Sequence, residues 1–396
     1  MKSWLSGACT ALLLASASFA APAPAPAPRV EVRAGLGNVR AKLDAGEPVT
    51  IAFVGGSITA LGGWGDGVVG RLQERYGKEA IFSVNAGLSA TGSGVAAFRL
   101  DREILPHEPD LVVIEFAVND AGTTPKKTIR AVEGIVRKIW SADPRTDILF
   151  VYLFEPSFEA AYGRGKRPRP VRSHEKVAAF HGIPSIDAGV VINQLHRAGA
   201  LRLKGPRKPE AGAPPAFARD GIHPYARGHR IYARAVSQGL DSILAGPGAR
   251  DHAGELDRPI VRNHWQAARK VPLAEWMMSG EWRRVTPEGA TRRGITVWES
   301  AEAGATVEFG FKGEILKIYE LRNAEVGGLE IRIGDEVLEP KSYRAPNAGP
   351  PLRVLHVRHP FDPETVQRVS IRVVPVEGEV HPVRLSDLLV LGEVVR

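Results

Sequence analysis

Between residues 30 and 245 the apolar positions fall in short, dense runs: VTIAFV (49–54), AIFSVN (80–85), DLVVIEF (110–116), DILFVYL (147–153) and IPSID (183–187). Short, apolar and rich in β-branched residues, these runs predict strands covered on both faces. The helical segments predicted between them, 66–76, 93–104, 126–141 and 174–181, are each long enough to cross over between parallel strands. A last helix is expected over 226–244. The pattern therefore predicts an α/β unit with a five-stranded, doubly wound parallel sheet, in which sites form at the carboxyl ends of the strands.

Two long excursions interrupt this rhythm. EPSFEAAYGRGKRPRPVRS (155–173) is basic and turn-rich, and LKGPRKPEAGAPPAFARDG (203–221) is rich in proline and alanine. Both follow predicted strands, which places them at the rim of the expected site. Residues 246–264 read as a linker. Beyond it, from about 296, apolar and polar residues alternate in TVEFGFKG, ILKIYELR, GLEIRIGDEVLE and VQRVSIRVVPVE. This alternation, with frequent turn signals, predicts an antiparallel β-sandwich within 265–396. Trp265, Trp276, Trp282 and Trp298 cluster where the two parts meet; they suit either a sugar-stacking platform or the packing of the joint.

Length agrees with this division, since 396 residues exceed one typical core. The first 20 residues, MKSWLSGACTALLLASASFA, have a basic start, a short apolar stretch and small residues before the expected cleavage at Ala20. That is a secretory signal, too short for a spanning helix, and it implies an exported, periplasmic or secreted chain without stable membrane insertion. The Ala/Pro repeat over 21–29 is an extended spacer. Cys9, the one cysteine, lies inside the signal, so disulfides, thiolate metal sites and cysteine nucleophiles are excluded from the mature chain. A net charge of +8 admits anionic partners. The basic residues are nevertheless spread along the whole chain and form no nucleic-acid motif, so they read as a solvated surface.

Candidate chemistry gathers at the predicted strand ends. Ser57, in VGGSIT, sits where the first strand turns into a helix, which suits an exposed nucleophile or a plain N-cap. Asp220 precedes His223 by three residues in RDGIHPYARGH, a spacing that lets the carboxylate orient the imidazole. Gly87 follows the second strand and Asn119 the third; with the Ser57 N–H they would form a three-donor oxyanion hole. His174 reads as a solvated residue at a helix start, with a substrate-facing role as the alternative, and Asp120 reads as structural. The lysine of a P-loop is missing from GGSITALGG, the G-x-S-x-G elbow is absent, and no histidine–carboxylate cluster has metal spacing.

Taken in order, GGSIT, NAGLS, AVND and DGIHP resemble the four blocks of the SGNH, or GDSL, hydrolase family, with Ser57, Gly87, Asn119 and His223 at the named positions and Asp220 at its aspartate. The resemblance spans roughly residues 48–245. Two positions depart from it: Gly56 stands in place of the usual aspartate, and Ala117 in place of a glycine. The resemblance implies a flavodoxin-like three-layer catalytic unit and a Ser57–His223–Asp220 acyl-enzyme mechanism that needs neither metal nor cofactor. With the sandwich attached, the chain resembles carbohydrate esterases that remove acetyl groups from poly- or oligosaccharides. Two alternatives remain beside this reading. One is an esterase, lipase or thioesterase for longer acyl chains; the other is a glycan-binding protein without turnover.

Overall fold

The computed structural model describes residues 26–287, 295–321, 327–338 and 352–396. The expected signal over 1–20 and most of the Ala/Pro spacer lie outside the described residues. Among these residues no helix is long and apolar enough to cross a membrane.

The five predicted strands form at Val49–Gly55 (β2), Ile81–Asn85 (β3), Leu111–Glu115 (β4), Asp147–Tyr152 (β5) and Ser185–Asp187 (β6). Every residue of β4, β5 and β6 is buried, which is why their sequences are apolar runs rather than alternations. A sixth strand, Arg29–Glu31 (β1), was not predicted. It pairs antiparallel with β6, Val30 opposite Ile186, and its first residue comes from the segment read as spacer. The order across the sheet is β1-β6-β5-β4-β2-β3, with all neighbours but β1 parallel. Within the parallel part the path runs from β2 outward to β3 and returns past β2 to β4. The crevice at the carboxyl ends of β2 and β4 is thus the switch point where such sheets bind ligands.

The predicted helices appear as Trp64–Tyr76, Ser93–Glu103, Pro125–Ala142, Arg169–Phe180 and Ala226–Leu244. The helices 64–76 and 226–244 pack together, whereas 125–142 packs against both 93–103 and 169–180. Both excursions contain regular structure. The first holds a 3₁₀ turn at Pro156–Phe158, a short helix at Glu159–Gly163 and the first turn of the 169–180 helix. The second holds a strand, Ala216–Ala218, that pairs with Arg202–Lys204. Phe217 at its centre is fully buried, edge-on to Tyr232 at 5.6 Å.

The stretch read as a linker is packed as well. His252 stacks flat on Trp140 at 4.6 Å, and the Arg250 N–H donates to Asn38 Oδ1 at 3.0 Å. Beyond it the chain forms the expected antiparallel β-sandwich, organised around the long strand Thr306–Leu321 and its partner Val383–Val395. Burial along 306–321 alternates strictly at first and becomes continuous from Leu316. The change has a direct cause. Leu316 and Ile318 point into the sandwich core, while Tyr319 and Leu321 join the core of the α/β unit. The two parts therefore share a buried joint. Trp265 belongs to it, with its ring 5.9 Å from Phe98, whereas Trp298 packs in the sandwich core and Trp276 is exposed. Trp282 also packs against the sandwich core, so the four tryptophans are spread over the joint, the sandwich and the surface rather than gathered in one platform.

Candidate active site

Buried strand β2 ends at Gly55, and Ser57 opens the short helix Ser57–Ala60 immediately after Gly56. Standing first in that helix, the Ser57 N–H has no acceptor within it. The turn is held from beneath. Thr59 Oγ1 donates to Glu115 Oε2 at 2.9 Å, and Asn85 Nδ2 donates to the Thr59 carbonyl at 2.9 Å. Glu115 is completely buried. Burial, with some repulsion from Asp120, outweighs the Thr59 bond and pushes its carboxyl up to about 8. Sequence reasoning missed this residue. Its signal was a single carboxylate at the end of the otherwise apolar run LVVIE.

The second half of the site comes from the turn before the helix 226–244. His223 Nε2 lies 2.7 Å from Ser57 Oγ, and His223 Nδ1 lies 2.6 Å from Asp220 Oδ2. Asp220 Oδ1 accepts the N–H groups of Ile222 and His223, both at 2.9 Å, which fixes the carboxylate against its own turn. Desolvation alone would raise the Asp220 carboxyl; the bonds from the His223 ring and the two N–H groups overcome it and bring it down to about 2. Gly221 makes the turn possible. Its φ is +88°, and a Cβ there would meet Pro156 at 2.8 Å, so the first excursion abuts this turn. His223 and Asp220 are 43% and 48% exposed, so this hydrogen-bonded chain is open to solvent.

Gly87 and Asn119 flank the serine, but in different states. A Cβ on Gly87 would lie 2.4 Å from the Ala60 nitrogen, so the loop after β3 packs directly on the serine helix. Its N–H, however, donates to Asn85 Oδ1 at 3.0 Å, so Gly87 is not a free donor in this structure. The Asn119 side chain lies over Gly56, filling the space where a side chain at that position would go. Asp120 clamps this loop from below. Its Oδ2 is 2.9 Å from His174 Nε2, and its Oδ1 accepts the Ser93 N–H at 3.1 Å. Both Asp120 and His174 are buried. His174 is thus neither solvated nor turned toward a substrate; it stands edge-on to Phe150 and Tyr152 of β5.

A doubly wound sheet with a Ser–His–Asp hydrogen-bonded chain at its switch point defines a hydrolase-like α/β architecture. Residues 53–231 match the sequence model of the GDSL-like lipase/acylhydrolase family. No curated protein matches the chain by sequence. Among solved structures, the chain is similar to a two-domain esterase active on acetylated mannans, crystallised with mannopentaose. The identity is 20% over 92% of this chain and 99% of that one, with a TM-score of 0.69. The crystal structure of a two-domain esterase of the same description, without the oligosaccharide, aligns at 19% identity over 92% and 100% of the two chains, also at 0.69. The shared fold therefore includes the sandwich as well as the α/β unit.

Proposed function

We propose that this chain is an exported serine esterase that removes short acyl groups, acetyl foremost, from carbohydrate. The catalytic unit would be residues 30–245, and 265–396 an accessory unit joined to it through 246–264. The observation that carries the reading is the unbroken hydrogen-bonded chain from Ser57 through His223 to Asp220.

With Asp220 ionised, His223 holds its proton on Nδ1 and accepts the serine hydroxyl at Nε2. Ser57 Oγ attacks the ester carbonyl carbon while His223 Nε2 takes the hydroxyl proton. The carbonyl oxygen becomes an oxyanion held by the Ser57 N–H and the Asn119 amide, with the Gly87 N–H joining as it is released from Asn85. Collapse breaks the bond to the sugar oxygen, which leaves with the proton from His223. Water then repeats the sequence on the acyl-enzyme, returning acetate and the free serine. The openness of the triad suits an ester carried on a polymer, and the likeness in fold to an esterase active on acetylated mannans supports a carbohydrate substrate.

The test compares nitrophenyl acetate with nitrophenyl octanoate for the wild type and Ser57→Ala. Acetate-selective turnover that disappears in the variant is expected. Octanoate preference would favour the longer-chain esterase, and turnover that survives in Ser57→Ala would remove the serine from its role.

A further inference from the structure

A groove of about 790 Å³ runs from Asn119 and Asp120 along the loop before the 93–103 helix to the facing edge of the sandwich. It is built by both parts of the chain and begins at the serine's own oxyanion flank. Its charges are unevenly compensated. The two carboxylates that line it are already engaged: Asp120 is bound to His174, and Glu314 grips Arg130 through two bonds of 2.7 Å. On the cationic side, Lys127 from the helix 125–142 and Arg358 just past the strand Leu352–His356 are both exposed, and neither makes an ion pair among the described residues. Lys317 lies at the floor, its ammonium donating to the Gly94 carbonyl and 5.4 Å from the Trp265 ring. Burial first, and Lys127 second, pull that ammonium down to about 7.

The aromatic lining points the same way. Neutral sugars are commonly gripped by an open aromatic face. Among the described lining residues the one Phe, Tyr or Trp is Trp265, which is only 4% exposed and covered by Phe98 and Arg130. What the groove offers a polymer is charge, and a guanidinium matches a carboxylate in shape as well as sign.

From this we infer that the interdomain groove binds the anionic stretch of an acidic, uronate-bearing polysaccharide, with Lys127 and Arg358 on its carboxylates, and so feeds acylated acidic glycan to Ser57. This deepens the esterase reading and rests on it for the reaction, though not for the binding.

The test uses the full-length protein and one polymer in two forms: O-acetylated polygalacturonate, and the same preparation after carboxyl reduction. Acetate release is followed at about 20 mM and about 200 mM salt, which change the screening length severalfold. The wild type is expected to favour the acidic form by about tenfold in kcat/KM at low salt, less at high salt, and the Lys127→Ala/Arg358→Ala double variant to lose that preference. Because the preference is a ratio within each protein, a general loss of activity cancels. Equal rates of the wild type on both forms, or a preference that survives in the double variant, overturns the inference. Binding of Ser57→Ala to the two polymers separates it from the proposed reaction. Charge-dependent binding together with no wild-type turnover of nitrophenyl acetate refutes the esterase and leaves the groove's binding of acidic polymer standing. Release without charge dependence does the reverse.

Discussion

A Cβ on Gly56 would lie 1.9 Å from Oδ1 of Asn119, far inside any tolerable contact. The Gly56 φ of −84° lies outside the left-handed region that favours glycine, and what a side chain there would meet is Asn119, an expected oxyanion donor. Gly56→Ala, and more so Gly56→Asp, which restores the residue usual in the family, should push the Asn119 amide off its position. Turnover of nitrophenyl acetate should fall by on the order of 10²–10³, as for loss of one oxyanion donor. Thermal denaturation of each variant checks that the fold persists. A wild-type kcat in a folded Gly56→Ala would mean that Asn119 does not contact the oxyanion.

Asp220 gives a second prediction. Because its carboxyl lies at about 2, it stays ionised through the whole range in which the enzyme is assayed. The sign follows from the depressed value: whatever the ionised carboxylate supplies is present above the ordinary aspartate range and is lost only as pH falls through about 2. Asp220→Asn should lower kcat by on the order of 10⁴ if the carboxylate sets the imidazole tautomer. The loss should be present across about pH 5 to about pH 9, since the wild-type carboxylate does not titrate there. A variant that keeps the wild-type kcat anywhere in that interval would assign Asp220 a different part.

The site and the fold were legible to different depths, for physical reasons. Strands β2 to β6 announce themselves because both their faces are covered, so their sequences are plain apolar runs. Strand β1 is three residues with one apolar side chain, pairing at an edge, and it leaves no pattern to read. His174 was misread because RPRPVRS looks like a loop. Pro170 in fact stands in the first turn of the helix, where its missing N–H costs nothing, and the helix begins at Arg169. That places His174 more than a turn inside and against β5. Ser57, Asp220, His223 and Asn119 were visible as polar residues at strand ends. The bond from the Gly87 N–H to Asn85, and the Glu115 carboxyl under the serine turn, depend on contacts between distant strands that no local pattern carries.

Glu115 gives the molecule a pH dependence separate from catalysis. In the folded chain its proton is held up to about 8, whereas an unfolded glutamate loses its proton near pH 4.3. Between these values the folded state binds more protons, so stability falls as pH rises, and the loss is complete above about 8. Glu115→Gln keeps an oxygen for the Thr59 hydroxyl and removes the titration. Relative to this variant, the wild type should lose on the order of 3 kcal/mol between about pH 5 and about pH 8.5. Urea denaturation of both proteins at the two pH values measures it. Parallel stability curves would show that Glu115 ionises without cost, through relaxation or water that the buried site admits.

Arg130 makes one of the contacts across the joint between the two parts, and its partners separate a surface charge pair from a buried anchor. Its guanidinium grips Glu314 across the joint, donates from Nε to the Asn263 carbonyl at 2.5 Å, and lies 5.6 Å from the Trp265 ring centre. Arg130 is 9% exposed but Glu314 is 44% exposed, so water already solvates much of the carboxylate. Glu314→Gln should therefore cost less than about 1 kcal/mol. Arg130→Ala also abandons the Asn263 carbonyl and uncovers Trp265, and should cost about 2–3 kcal/mol. The packed cluster that remains, Trp265 with Phe98, Tyr319 and Leu321, belongs to one core with the α/β unit. Thermal unfolding should stay a single transition in Glu314→Gln. In Arg130→Ala it should broaden or divide as the sandwich loses its hold on the helix 125–142. Equal losses in the two variants would mean that the Arg130–Glu314 pair itself carries the joint, and that the buried contacts around Arg130 add little.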